Sequence, residues 1–134
     1  MRRKIFILDT NVLMYSPSCL DTFDNNYIVI PATCFEELDK FKSSYELKGF
    51  YAREFLRNFE KLRSGQNILT VIKLESGGKV FVRYLSQGIR LPVEFGKDSS
   101  DNNILKTAIQ TEREFNKKVV LVTKDTNLRI KADI

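Results

Sequence analysis

Four carboxylates in this chain are spaced so that they could work together. Asp9 closes the apolar run Ile5-Phe6-Ile7-Leu8, and Asp125 follows Val119-Val120-Leu121-Val122 by way of Thr123-Lys124. Glu37 lies in the helix expected after a third apolar run, Tyr27 to Ile30, and Asp101 opens a helix in the last third of the chain. Short continuous apolar runs suit strands buried on both faces of a parallel sheet, and ligands gather at the carboxyl ends of such strands. The pattern therefore brings all four acids to one edge. Converging carboxylates repel and raise one another's pKa values, so a cation is expected among them. Oxygen donors without histidine or thiolate select hard ions, which makes Mg²⁺ or Mn²⁺ the natural occupant. One or two such ions could activate a water, orient it against a phosphodiester and stabilise the leaving oxygen, with no protein nucleophile required.

Nearby polar residues could hold or supplement these ligands. Thr10, Asn11 and Thr123 are candidates to hold them, and Asp98 is close enough to Asp101 to be an alternative or outer ligand. Each acid also has a plainer reading. Asp9 could only cap the helix beginning near Val12, Asp101 could only complement a helix dipole, and a lysine could answer the charge of Glu37.

Composition narrows the chemistry. The 134 residues, 43% of them hydrophobic, suit one compact domain, long enough to bury a real core. There is no histidine, which removes histidine bases, triads built on histidine and histidine-ligated zinc or iron. No GxxxxGK[ST] phosphate loop occurs. Cys19 and Cys34 have neither zinc-site spacing nor the density of a disulfide scaffold, and they read as reduced thiols of a cytoplasmic protein. The first apolar run is interrupted by Asp9, too early for a signal peptide or membrane span. A formal charge of +5 permits a polyanionic partner without demanding one.

The elements that must position the carboxylates alternate in strand and helix order. The first strand leads into a short helix over Asn11 to Tyr15, stopped by Ser16-Pro17, and another is expected from Leu20 to Asp24. Tyr27 to Ile30 is the second strand, and Pro31 suits the first turn of a helix running through Phe41. At about 100° per residue, Cys34, Leu38 and Phe41 share one face, Glu37 flanks it, and Glu36 falls nearly opposite. Thr33 and Glu36 fit a capping box, so Glu37 is the acid without an obvious structural task. A long helix is expected over Tyr45 to Arg63, with Leu47, Phe50, Tyr51, Phe55, Phe59 and Leu62 inward and Ser64-Gly65 closing it. Its outer face carries Arg53, Arg57 and Lys61 at i, i+4, i+8, with Lys40 and Lys42 on the preceding helix. Such a row could track a phosphate backbone, or be an ordinary solvated face with Glu54 and Glu60 interspersed. Ile68 to Glu75, Gly77-Gly78 and Lys79 to Leu85 read as a β-hairpin, and residues 86–97 as an irregular connection back to the main sheet. The helix after Asp98-Ser99-Ser100-Asp101 would bury Ile104, Leu105, Ala108, Ile109 and Phe115, before the last strand, Val119 to Val122.

Four motifs, Ile7-Leu8-Asp9-Thr10-Asn11-Val12-Leu13, Ile30-Pro31 through Glu36-Glu37-Leu38-Asp39, Asp101-Asn102-Asn103-Ile104-Leu105 and Val122-Thr123-Lys124-Asp125, resemble those of PIN domains. The resemblance implies a three-layer α/β/α fold around a mainly parallel sheet, and an Mg²⁺ or Mn²⁺ site for cleaving RNA at Asp9, Glu37, Asp101 and Asp125. Glu36-Glu37-Leu38-Asp39-Lys40-Phe41-Lys42, the Gly77-Gly78 hairpin and Leu128-Arg129-Ile130-Lys131-Ala132-Asp133 are similar to the PIN domain at the N-terminus of PhoH-type ATPases. It implies single-stranded RNA as partner and a C-terminal ATPase absent from this chain. The ending at Lys131-Ala132-Asp133-Ile134 reads as cut short, so residues 1–134 are expected to be a single N-terminal domain of a longer protein. A free-standing toxin-like protein with an antitoxin is the other form such a domain takes, and homo-oligomerisation is an expectation by analogy alone. Two rivals stand beside the ribonuclease: a non-catalytic RNA-binding or regulatory module serving an ATPase, and a metal-dependent phosphatase or receiver-like domain. The last lacks its markers, since Ile7-Leu8-Asp9-Thr10-Asn11 supplies neither an acidic pair nor a DxDxT/V run.

Overall fold

The computed structural model describes residues 3–15, 18–23, 25–67, 69–86, 88–89, 91, 100–124 and 132. Asp98 and Asp125 lie outside the described residues, as do Ser16-Pro17 and Asp24. The apolar runs form the centre of a five-stranded sheet. Strands β1 (Ile5–Leu8) and β2 (Tyr27–Pro31) pair in parallel, with Phe6 opposite Ile28, and β5 (Val120–Val122) pairs in parallel along the other side of β1, with Ile7 opposite Leu121. The predicted hairpin is present as β3 (Ile72–Lys73) and β4 (Lys79–Arg83), antiparallel to each other. Its second strand pairs in parallel with β2, Val29 opposite Phe81, so the hairpin extends the central sheet to the order β3-β4-β2-β1-β5. Gly77 turns it at φ +93°, where an added Cβ would stand 2.9 Å from the Asn25 side-chain oxygen.

This order fixes where a site can be. From β1 the chain moves to β2 and then β4 in one direction, and afterwards crosses back over β1 to β5. Right-handed crossovers then require α4 (Ser100–Phe115) on the face opposite the helices that precede β4, which gives the three layers. The direction of winding reverses between β1 and β5, and the carboxyl ends of those two strands flank the crevice where such folds bind ligands.

Among the described residues the helices follow the expected order and differ in detail. Helix α1 (Thr10–Tyr15) is followed by a 3-10 turn over Cys19–Phe23. Helix α2 (Ala32–Phe41) starts directly from β2: Pro31 ends the strand and serves as N-cap with ψ 135°, and no side chain caps the helix. The Thr33–Glu36 capping box therefore does not form, because Thr33 is already inside the first turn. Helix α3 (Leu47–Arg63) buries Gly49, Ala52, Phe55 and Phe59, while Leu47, Phe50, Tyr51 and Leu62, expected inward, are exposed. A Cβ on Gly49 would stand 2.0 Å from the Ser44 carbonyl oxygen. Close approach to the α2–α3 turn thus selects the small residues, and the bulky ones turn outward. In α4, Ile104 and Leu105 are buried as expected, and so are Thr107 and Thr111. Their hydroxyls donate to the carbonyls of Asn103 and Thr107 at 2.8 and 2.7 Å, so the polar atom is satisfied within the helix and the methyl is left to pack. Both cysteines are buried free thiols. Among the described residues no helix is long and apolar enough to cross a membrane.

Candidate functional site

Asp9 sits at the crevice between β1 and β5. Its amide donates to the Val122 carbonyl at 3.1 Å, carrying the sheet pairing one residue past β1, and its own carbonyl accepts from Val12 and Leu13 to start α1. Both oxygens of its carboxylate are held: Oδ1 accepts the Thr10 amide at 2.6 Å and Oδ2 accepts the Thr123 hydroxyl at 2.7 Å. An ordinary N-cap side chain would take the amide of the second or third helical residue. Here it takes the first and reaches across to the strand-end threonine, so helix capping does not account for its position. Asp9 is only 4% exposed, and among the described residues it forms no ion pair.

Thr10 joins Asp9 to the second acid. While its amide serves Asp9, its hydroxyl donates to Glu37 Oε1 at 2.7 Å. Helix α2 turns Glu37 to the half-buried flank of its Leu38 face and leaves Glu36 exposed, as helical geometry predicted. Burial raises the Glu37 carboxyl above the ordinary glutamate value; the Thr10 hydrogen bond opposes this, the Asp9 and Asp101 charges add to it, and Lys40 draws it back. Asp101 occupies the first turn of α4, partly buried. The charges of Asp9 and Asp101 therefore both bear on Glu37.

They do not by themselves close on a point. Among the described residues no group of three histidine, cysteine, aspartate or glutamate side chains could hold a metal ion. Cys34, directly behind the site with Sγ 3.7 Å from the Leu8 carbonyl, adds no thiolate, because burial pushes its pKa up to about 12. The chemistry of the donors still fits a hard dication: all are carboxylate oxygens, and those of Asp9 and Glu37 keep lone pairs beyond the ones Thr10 and Thr123 use.

The smaller predicted contributors separate. Thr10 and Thr123 bind the carboxylates, whereas Asn11 is exposed and makes no side-chain hydrogen bond among the described residues. The bridging task of Thr10 was not visible in sequence, since it depends on β2 bringing α2 beside α1. The basic residues lie on the surface of α2 and α3, but three of the five are engaged. Arg53 donates to the carbonyls of Lys42 and Ser44, Arg57 pairs with Glu54 at 2.6 Å, and Lys42 pairs with Asp39 at 2.6 Å. Lys40 and Lys61 form no ion pair among the described residues.

Comparison with known proteins adds an independent line. The family profile described as PIN domain matches residues 6–134. The chain is 33% identical to protein PhoH2 of Bacillus subtilis (strain 168) over 97% of its own length, and 35% identical to protein PhoH2 of Mycolicibacterium smegmatis over 96%. It spans 31% and 30% of the lengths of those relatives. Among solved structures, a domain of a functionally unknown protein from Methanocaldococcus jannaschii DSM 2661 superposes with a TM-score of 0.59, 22% identity and coverage of 97% of this chain and 84% of that one. At that identity the likeness concerns the fold.

Proposed function

The chain belongs to the PIN-domain family, whose members are generally nucleases, and on that footing we propose that it is a metal-dependent ribonuclease acting on single-stranded RNA. The observation that carries the reading is Asp9: a buried carboxylate, clamped by two neutral donors and without an ion pair among the described residues, beside two further acids. Burying such a charge is costly unless a cation compensates it. In this proposal Asp9, Glu37, Asp101 and Asp125 hold Mg²⁺ or Mn²⁺, with Asp98 an outer ligand. A bound ion of this kind would supply Lewis acidity and an activated water for phosphodiester hydrolysis. The chain's own residues set the geometry. Thr123 and the Thr10 amide fix both oxygens of Asp9, the Thr10 hydroxyl fixes Glu37, and Lys40 and Lys61 with the engaged row Lys42, Arg53 and Arg57 face the RNA backbone.

We further propose that these 134 residues form one domain and, since the chain spans only 31% and 30% of the PhoH2 relatives, that an ATPase belongs to the same protein. One observation favours a second reading, a non-catalytic RNA-binding module attached to that ATPase: the described acids do not assemble a three-residue metal cluster. Incubation of a mixed-sequence single-stranded RNA with Mn²⁺, Mg²⁺ or EDTA separates the two. The ribonuclease predicts cleavage with either ion and none with EDTA, whereas the module predicts retained RNA that is never cut.

A further inference from the structure

Beside the carboxylate edge lies an exposed pair that neither the fold nor the acids require. Tyr15 ends α1 with 72% of its surface accessible, and Lys124 holds its ammonium 3.3 Å from the centroid of the Tyr15 ring. Both are anchored to the site from opposite sides. Lys124 directly follows Thr123, which bonds Asp9, and Tyr15 closes the short helix that Asp9 opens. Six residues of α helix span about 9 Å, the reach of a nucleotide flanking whichever phosphate meets the carboxylates.

An aromatic ring this exposed contributes nothing to the core, while a cation seated over it limits its motion and brings positive charge beside the carboxylates. That combination suits single-stranded nucleic acid, in which unstacked bases lie on aromatic faces and nearby cations meet the phosphates. The charge counts as well: RNA approaching three carboxylates is repelled unless something beside them attracts it, and Lys124 is next to the Thr123–Asp9 bond. We propose that Tyr15 and Lys124 form a nucleotide-binding subsite, the tyrosine stacking the base of a residue flanking the scissile phosphate and the lysine meeting its backbone. The proposal rests on the ribonuclease reading for its substrate, and its test can fail separately.

The probe is a short single-stranded RNA carrying 2-aminopurine at successive positions, bound to protein whose cleavage is silenced by Asp9→Asn. Stacking quenches the fluorescence. In this background the native Tyr15 should quench at one position, Tyr15→Phe should retain the quenching, and Tyr15→Ala should lose it with about tenfold weaker binding. Lys124→Gln should lower the slope of affinity against salt by about one phosphate contact. The melting temperature should not change in Tyr15→Ala, because the ring is outside the core. Quenching that is equal in all three proteins, or affinity indifferent to Tyr15, would overturn the subsite while leaving any metal-dependent cleavage by the native chain intact. Tyrosine-dependent quenching, together with a native chain that never cuts RNA, would uphold the subsite and remove the nuclease. If no RNA binds, both fall.

Discussion

The carboxylate edge and the outer face of α3 carry opposite charges and are held in opposite ways. At the edge, Asp9 and Glu37 are bound by neutral donors from two elements, Thr10 at the start of α1 and Thr123 just past β5, the latter from the far end of the chain. On α3 two of the arginines are matched within the helix itself: Arg57 pairs with Glu54 and Arg63 with Glu60, both at i, i+3. Local pairs of that kind form in any solvated helix and contribute little. Holding an unpaired acid inside needs the whole fold. The structure bears a cost at the carboxylate edge, whereas the basic row is a surface that an RNA backbone could approach without having been built for it.

The largest effect should come from the acid at the centre. Asp9→Asn, close in shape, should leave the fold intact and abolish RNA cleavage, as followed by gel assay and circular dichroism. Asp9→Ala should also cost stability, about 1–3 kcal/mol, because the Thr10 amide and Thr123 hydroxyl lose a buried acceptor. Next come the threonines. Thr10→Val and Thr123→Val each remove a hydroxyl donor to a carboxylate and should lower metal affinity or turnover by roughly 10- to 100-fold, with Thr10→Ser restoring most of it. If the valine variants were fully active, the edge would be no more organised than α3.

A smaller effect concerns pH. Glu37 is raised in the folded state, chiefly by burial, so its contribution to stability is full below the unfolded glutamate value and is lost as pH rises through the folded one. In EDTA, Glu37→Gln should therefore flatten that part of the melting-temperature profile and stabilise the protein at neutral pH. With Mn²⁺ the order should reverse, since the native carboxylate then gains its counter-charge. The smallest effect belongs to α3. Arg57→Gln should shift stability by only about 0.2–0.5 kcal/mol and leave RNA affinity nearly unchanged, because the arginine's charge is already answered by Glu54.

How much of this was legible in the sequence follows from the range of the interactions involved. The continuous apolar runs gave β1, β2 and β5, and helical geometry separated Glu37 from Glu36, because both depend on spacing within a few residues. The inward face of α3 was misread for the opposite reason. The choice of Gly49 and Ala52 over Leu47, Phe50 and Tyr51 is made by the Ser44 carbonyl across a turn, and no periodicity records that. Pro31 suits a helix's first turn, yet pairing with Arg83 keeps it in the strand. At the site, the residue types were readable, whereas the Thr10 bridge exists only once β2 has brought α2 beside α1, and the Thr123 clamp only after β5 has come to lie beside β1. Asp98 and Asp125, also singled out in the sequence, lie outside the described residues.

The central claim is that the clamped acids at the β1–β5 crevice hold a divalent ion. A calorimetric titration of Mn²⁺ into the metal-free protein and into Asp9→Asn tests it without depending on any RNA. Saturable binding by the native chain, lost or greatly weakened in Asp9→Asn while the fold persists, is the result expected. Equal binding by the two proteins, or none by either, would contradict it and leave Asp9 a buried structural carboxylate.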